Sequence, residues 1–157
     1  RWKLSRWMIY EVDNIFLTWG DSDKRKKIWF EKGFLILVGI EAEDTQEDIE
    51  WLCRKIINMR IFGDEDDKMN LSLKDIDGEA LIISQFTLHA STKKGNRPGF
   101  IKAAKPEVAI PLYEAFIKEF EKQFEKEVGT GEFGADMKIN LLNDGPVTII
   151  IDSKNRE

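Results

Sequence analysis

The stretch Gly33-Phe-Leu-Ile-Leu-Val-Gly-Ile40, with the segment from Asp44 to Ile57, decides the fold predicted for this chain of 157 residues. Phe34 to Ile40 is a continuous apolar run of strand length, which is typical of a buried strand. Thr45 and Asp48 then have the spacing of a helix-capping box. Apolar residues recur after them with the spacing of one helix face, at Ile49, Leu52, Cys53, Ile56 and Ile57. A buried strand followed by an amphipathic helix predicts a mixed α/β domain.

The rest of the chain supplies a second helix and further strands. A strand is predicted over Ala80 to Leu88, whose first half is apolar and whose second half carries polar side chains. Pro106 begins a helix, because a missing N–H costs nothing at the first helical position. Two more strands, Met137 to Leu142 and Val147 to Ile151, are separated by a turn at residues 143–145.

The first 32 residues differ in composition from the rest. Four of the five tryptophans lie there, together with the basic run at residues 24–27. Strands are nevertheless predicted at Met8 to Val12 and at Ile15 to Trp19. Because no repeat or low-complexity linker divides the chain, residues 1–157 are expected to form one domain, with residues 1–32 as an atypical N-terminal segment.

Composition and charge exclude several classes of protein. Hydrophobic residues make up 42% and charged residues 34%, which is typical of a globular chain. The apolar runs are far shorter than the roughly 20 residues that span a bilayer, and no secretory leader is seen, so we expect a cytoplasmic protein. With one cysteine, Cys53, and one histidine, His89, we expect no internal disulfide, metal or cofactor. The net charge of −5 argues against a protein that coats nucleic acid.

A local basic patch lies in the middle of this acidic chain. Its five cations fall within thirteen residues that contain no acid: Lys93, Lys94, Arg97, Lys102 and Lys105. The flexible segment from Gly95 to Phe100 adds an aromatic ring, a combination suited to a phosphate backbone and a base. A solvated surface loop explains the same pattern equally well.

The segment Ser84-Gln85-Phe86-Thr87-Leu88 is a candidate for chemistry, because a buried strand seldom contains such polar groups unless they have partners. A hydroxyl nucleophile needs an adjacent base, and His89 is the only histidine. In a strand, Ser84 and His89 point to opposite faces, whereas Thr87 and His89 share one. A Ser/Thr-nucleophile hydrolase of small esters therefore stays open, and so does an ordinary polar role for His89.

Several separated motifs resemble those of the D-aminoacyl-tRNA deacylase family. They are Ser84 to Leu88, Lys94-Gly-Asn-Arg-Pro98, Phe133-Gly-Ala-Asp-Met137 and Asn143-Asp-Gly-Pro-Val-Thr148. The segment Asn58-Met-Arg-Ile-Phe62 fits the same family, and the resemblance extends from about Gly33 to Ser153. Residues 1–32 do not match the N-terminal strand of the family, and an altered reading frame is one explanation.

The resemblance implies a single-domain α/β fold with mixed, mostly antiparallel, barrel-like sheets and two main helices, assembled as a homodimer. It implies a cytoplasmic enzyme that hydrolyses the ester between a D-amino acid and the 3′-terminal adenosine of tRNA, and that also clears mischarged glycine. Four residues would form the catalytic segment: Ser84, Gln85, Phe86 and Thr87. Substrate would be bound by Leu88, Asn143, Gly145, Pro146 and Thr148. We expect the tRNA to be held by Lys93, Lys94, Arg97 and Lys102.

The family also implies how chirality is read. A cis bond between Gly145 and Pro146 would present rigid carbonyls in the partner subunit's site, so that an L side chain clashes. Substitution of either residue by Ala is then predicted to relax the rejection of L-amino acids. Backbone N–H groups near Gln85 and Phe86 would stabilise the developing oxyanion without a protein nucleophile, while the ribose hydroxyl of the substrate orients water. A catalytically impaired tRNA-binding dimer is the alternative if the N-terminal change has removed activity.

Overall fold

The computed structural model describes residues 6–20 and 26–156. In chain order its elements are β1 (Arg6–Trp19), β2 (Lys26–Val38), α1 (Gln46–Ile57), β3 (Phe62–Gly63), β4 (Met69–Leu71), β5 (Glu79–Ser84), a 3₁₀ helix (Phe86–His89), α2 (Pro106–Phe124), β6 (Gly129–Thr130) and β7 (Met137–Asp152). The mixed α/β class and the two main helices predicted from the sequence are confirmed.

Five strands form one sheet in the order β6-β5-β2-β1-β7, and β3 and β4 form a separate ribbon. The long pairings of β1 with β2 and with β7 are antiparallel, whereas β5 runs parallel to β2 and β6. Both sheet faces are buried: Phe34 and Ile36 pack with the helices, and Leu35 packs in a second cluster on the other face. Burial on both sides explains why the apolar run in β2 is continuous rather than alternating.

Helix α1 is built as its sequence predicted. Thr45 is the N-cap, and the Asp48 carboxylate accepts a hydrogen bond from the Thr45 N–H at 2.9 Å. The predicted apolar face is fully buried. Cys53 on that face is 0% exposed, and burial raises the pKa of its thiol, so it acts as a small core residue.

The predicted strand from Ala80 to Leu88 is wrong in its second half. Strand β5 ends at Ser84, and Phe86 to His89 form a 3₁₀ helix instead. The physical reason is the end of the neighbouring strand: Ser84 pairs with Val38, the last residue of β2, and no ladder continues beyond them. Thr87 and His89 therefore do not share a strand face as predicted.

The N-terminal segment takes part in the core sheet rather than leaving a gap there. The two predicted strands are one strand, β1, which pairs with β2 on one side and β7 on the other. Its side chains Ile9, Val12, Ile15 and Leu17 are completely buried. Strand β1 is therefore paired on both of its sides, and it leaves no open edge in the middle of the described sheet.

Candidate active site

A cavity of about 310 Å³ lies where β2 and β5 end. Segments distant in sequence line it: Val38 and Ile40, residues 83–86, Ala104 and Ala109, residues 133–137, and Ile139. The fold thus joins two of the motifs singled out in the sequence, Ser84 to Phe86 and Phe133 to Met137. Thr87 and Leu88 are not part of this lining.

Backbone donors lie at the start of the 3₁₀ helix. The Gln85 N–H donates to the Val38 carbonyl at 2.7 Å, so that N–H is already used. Within the described part of the chain, no backbone carbonyl accepts a hydrogen bond from the N–H of Phe86 or of Thr87. The first N–H groups of a helix have no partner inside it. The donors available to a ligand are therefore those of Phe86 and Thr87, not that of Gln85.

Among the residues that the structure describes, no base lies against the hydroxyl of Thr87. Its Oγ1 accepts a hydrogen bond from the Gln85 side-chain amide. The His89 side chain is 0% exposed, and its Nδ1 lies 3.4 Å from Oε1 of Glu41, whereas Thr87 is exposed at the surface. The strand geometry that would have paired Thr87 with His89 is not formed, so the nucleophilic hydrolase loses the observation on which it depended.

The predicted basic patch forms a loop beside the cavity. Backbone hydrogen bonds of 2.8 and 2.9 Å between Ser91 and Gly99 close this basic loop, residues 92–98. Its cations, Lys93, Lys94 and Arg97, are exposed, as is Lys102 just beyond it. Phe100 packs edge-on against the cavity residue Phe86, with ring centroids 5.0 Å apart. This contact places the basic loop at the mouth of the cavity.

A bulge in β7 carries Gly145 and Pro146. Tyr10 pairs with Thr148 and Val12 pairs with Asn143, so that a single residue of β1, Glu11, lies opposite residues 144–147. The bond between Gly145 and Pro146 is cis, as the resemblance implied. The bulge is not part of the lining of this chain's own cavity. Gly145 and Pro146 are exposed on the outermost strand of the described sheet, where a second molecule has access to them.

Asn143 and Thr148 close the base of the bulge. In the amide orientation that satisfies both of its polar atoms, Asn143 donates to the carbonyls of Val147 and Glu11, each at 3.1 Å. The same amide accepts from the Thr148 hydroxyl at 3.1 Å. These contacts give both residues a role in shaping the bulge, whereas their predicted contact with substrate stays a prediction.

Two buried carboxylates near these features were not singled out in the sequence. Glu11 lies opposite the bulge at 6% exposure, and burial raises its pKa, with Asp144 and Asp13 adding to the effect against Lys32. Glu41 follows the cavity residue Ile40. The only signal in the sequence is an acid beside apolar residues of a strand, which is too common to select either one.

The described residues contain no group of three or more His, Cys, Asp or Glu side chains placed to hold a metal ion. In the same part of the chain, no helix is both long enough and apolar enough to cross a membrane. What the cavity presents is backbone amides, apolar walls and a cationic rim.

The family described as D-Tyr-tRNA(Tyr) deacylase matches residues 19–152, and the chain belongs to this family. The match begins at Trp19 rather than near Gly33, so that residues 1–18 lie outside it.

Curated relatives are similar to this chain over most of their own length. A D-aminoacyl-tRNA deacylase of Flavobacterium johnsoniae is 70% identical over 127 residues, covering 81% of this chain and 85% of the relative. A protein of the same name from Christiangramia forsetii is 72% identical over 124 residues, covering 79% and 83%.

Two solved structures share the fold. One is named c-Myc DNA Unwinding Element Binding Protein; its TM-score is 0.84 at 36% identity, with 94% of this chain and 97% of that chain covered. The other, described as a probable eukaryotic D-amino acid tRNA deacylase, has a TM-score of 0.80 and covers 96% and 100%. At 18% identity, this second likeness concerns the fold alone.

Proposed function

We propose that this chain hydrolyses the ester of D-aminoacyl-tRNA, and of mischarged glycyl-tRNA, in the cytoplasm as a proofreading step. The observation that carries the proposal is the cavity lined by residues 83–86 and 133–137, in which the lining residue Phe86 and the next residue, Thr87, have backbone N–H groups without a backbone acceptor among the described residues. Its volume of about 310 Å³ fits a small acyl group and part of a nucleoside rather than a polymer.

The proposed mechanism needs no nucleophile from the protein. Water attacks the ester carbonyl carbon, the bond to the ribose 3′ oxygen breaks, and that oxygen leaves with a proton from the water. The N–H groups of Phe86 and Thr87 donate to the carbonyl oxygen as negative charge builds on it, and each donor is worth about 3 kcal/mol. The neighbouring ribose hydroxyl orients the water, and the Gln85 contact holds Thr87 as a positioning group.

A homodimer completes the site. Strand β7 is the outermost strand of the five-stranded sheet, and it exposes two large apolar side chains, Leu142 at 58% and Ile150 at 61%. An exposed strand edge with apolar side chains favours pairing with another chain. The Gly145–Pro146 bulge lies on this edge and outside its own cavity, which supports its insertion into the cavity of the partner.

The bulge then acts as the filter for chirality. Its backbone carbonyls hold the substrate's amino group, and the remaining space admits a hydrogen or a D side chain but not an L side chain. Gly145 has a φ of +104°, which L side chains rarely adopt, and an added Cβ would lie 2.8 Å from Cγ2 of Val147. Gly145→Ala is therefore expected to shift the bulge and to weaken the filter.

The tRNA is held at the cavity mouth. Lys93, Lys94, Arg97 and Lys102 are exposed beside the Phe86–Phe100 pair, a combination of cations and aromatic rings suited to an unpaired RNA 3′ end. In this arrangement the cations contact phosphates and the cavity receives the terminal adenosine with its amino acid.

The test is deacylation of matched D-Tyr-tRNA and L-Tyr-tRNA by the purified protein. We expect release of D-Tyr only, and release of L-Tyr to rise about tenfold in Gly145→Ala. Gly63→Ala is the matched control, because an added Cβ there makes only ordinary contact with Asp67 at 3.8 Å or more. Binding of tRNA with no release of either amino acid would favour the impaired dimer, and unchanged discrimination in Gly145→Ala would refute the filter.

A further inference from the structure

A buried pair of titratable side chains next to the cavity takes no part in the proposed reaction. Glu41 is 8% exposed and His89 is 4% exposed, with Nδ1 of the histidine 3.4 Å from Oε1 of the glutamate. The two polar atoms face each other away from water, so removing either side chain leaves the other without the group that it faces, and the pair behaves as a unit. Its position suggests what the unit does.

The glutamate belongs to a fixed part of the cavity wall. Its N–H donates to Oδ2 of Asp44 at 2.9 Å, and its backbone forms a bridge with Ala103. The residue before it, Ile40, lines the cavity and accepts a hydrogen bond from the Ala104 N–H at 2.8 Å. Glu41 is therefore an anchor whose backbone is tied to the segment before α2 and to the loop before α1.

The histidine belongs to the segment that needs an anchor. His89 is the last residue of the 3₁₀ helix whose first residues, Phe86 and Thr87, carry the available N–H groups. Short 3₁₀ helices have poor hydrogen-bond geometry, and this one is held by Leu88 N–H to Gln85 at 3.2 Å and Ala90 N–H to Thr87 at 3.0 Å. Side-chain contacts then decide how such a segment is oriented.

We propose that Glu41 and His89 are positioning residues that fix the 3₁₀ helix, so that the N–H groups of Phe86 and Thr87 face the reacting carbonyl. The Glu41 carboxylate favours the imidazole hydrogen on Nδ1 and thereby sets the ring orientation. The inference rests on the proposed function for its kinetic consequence, whereas the orientation of the 3₁₀ helix can be measured without any substrate.

The kinetic test compares three variants on D-Tyr-tRNA. In Glu41→Ala we expect kcat to fall by about tenfold to a hundredfold, because a misplacement of about 1 Å costs up to about a hundredfold, while KM changes by less than about twofold. Glu41→Gln keeps an oxygen acceptor for Nδ1–H and is expected to restore most of kcat. Glu119→Ala is the control: Glu119 is equally buried, on α2, and bonds to Gln123 and Lys122 away from the cavity.

The second measurement is the amide NMR spectrum of the same full-length variants. The resonances of Phe86 and Thr87 are expected to shift or broaden in Glu41→Ala and to stay in place in Glu119→Ala. An unchanged kcat in Glu41→Ala, or an equal loss in Glu119→Ala, would overturn the positioning role. If the wild-type protein does not deacylate D-Tyr-tRNA, the proposed function fails, and the amide resonances alone then decide whether the pair orients the 3₁₀ helix.

Discussion

Replacing Lys93, Lys94 and Arg97 together by Gln is expected to weaken tRNA binding in a manner that depends steeply on salt. All three side chains are exposed on the basic loop, residues 92–98. Among the residues that the structure describes, none of the three forms a salt bridge within the chain. Their charges are therefore available to phosphates, although the chain as a whole is acidic.

The size of the effect follows from counterion release. Each phosphate contact on single-stranded RNA contributes about 0.7 to the slope of log K against log salt concentration. With one phosphate for each cation, the triple variant loses about 2 units of slope, which corresponds to about a hundredfold weaker binding at 0.1 M salt. Fluorescence anisotropy of labelled tRNA over a series of potassium chloride concentrations measures both quantities.

A second triple variant separates the local effect from the change in overall charge. Lys68, Lys118 and Lys126 are lysines outside the cavity lining, and replacing them by Gln takes the net charge from −5 to about −8, as the loop variant does. We expect its slope to stay close to that of the wild type. Equal losses in the two variants, or an unchanged slope in the loop variant, would refute the placement of the RNA on the basic loop.

Three further substitutions test the fold. Gly33→Ala is expected to lower the free energy of unfolding by about 3 kcal/mol or more, as measured by denaturant unfolding, because an added Cβ would lie 1.9 Å from the carbonyl oxygen of Glu79. A variant as stable as the wild type would contradict this packing. Burial alone would raise the pKa of the Asp48 carboxyl, but its hydrogen bonds, above all the one from Lys154, lower the pKa overall. The ionised carboxylate therefore stabilises the folded protein at neutral pH, and this contribution is lost as the pH falls through the lowered pKa. Asp48→Asn should therefore lower the melting temperature at pH 7 and have less effect in acid, where a pH-independent loss would argue against the ion pair. Burial raises the pKa of the Glu11 carboxyl, so ionisation of this group destabilises the folded protein as the pH rises. Glu11→Gln should therefore raise the melting temperature more at pH 8 than at pH 5. An effect of the substitution that does not depend on pH would show that the carboxylate is not desolvated.

Elements set by local signals could be predicted from the sequence. The capping box at Thr45 and the proline at position 106 fix where α1 and α2 begin, because both act through the backbone of the first turn. The end of β5 could not be predicted in this way. Residues 86–88 have ordinary strand propensity, and they leave the sheet because the neighbouring strand has ended at Val38.

In the candidate site, too, local motifs could be predicted from the sequence, whereas features set by tertiary contacts could not. The motifs Ser84 to Leu88 and Phe133 to Met137 are visible in the sequence, but only the fold shows that parts of both line one cavity. The assignment of the backbone donors changed from Gln85 to Thr87, because a tertiary hydrogen bond to Val38 uses the Gln85 N–H. No signal in the sequence was specific enough to select Glu41, because its significance lies in a contact with His89 far along the chain.

The central place of β1 in the sheet has a consequence for synthesis on the ribosome. Tyr10 leaves the exit tunnel well before its partner on one side, Thr148, which lies 138 residues further along the chain. Until then, the hairpin of β1 and β2 exposes the open flank of β1 to other nascent chains on the same messenger. Contacts between such distant segments form slowly, so the sheet is expected to be completed only after β7 has been synthesised, and β1 is expected to need a chaperone bound to it until then.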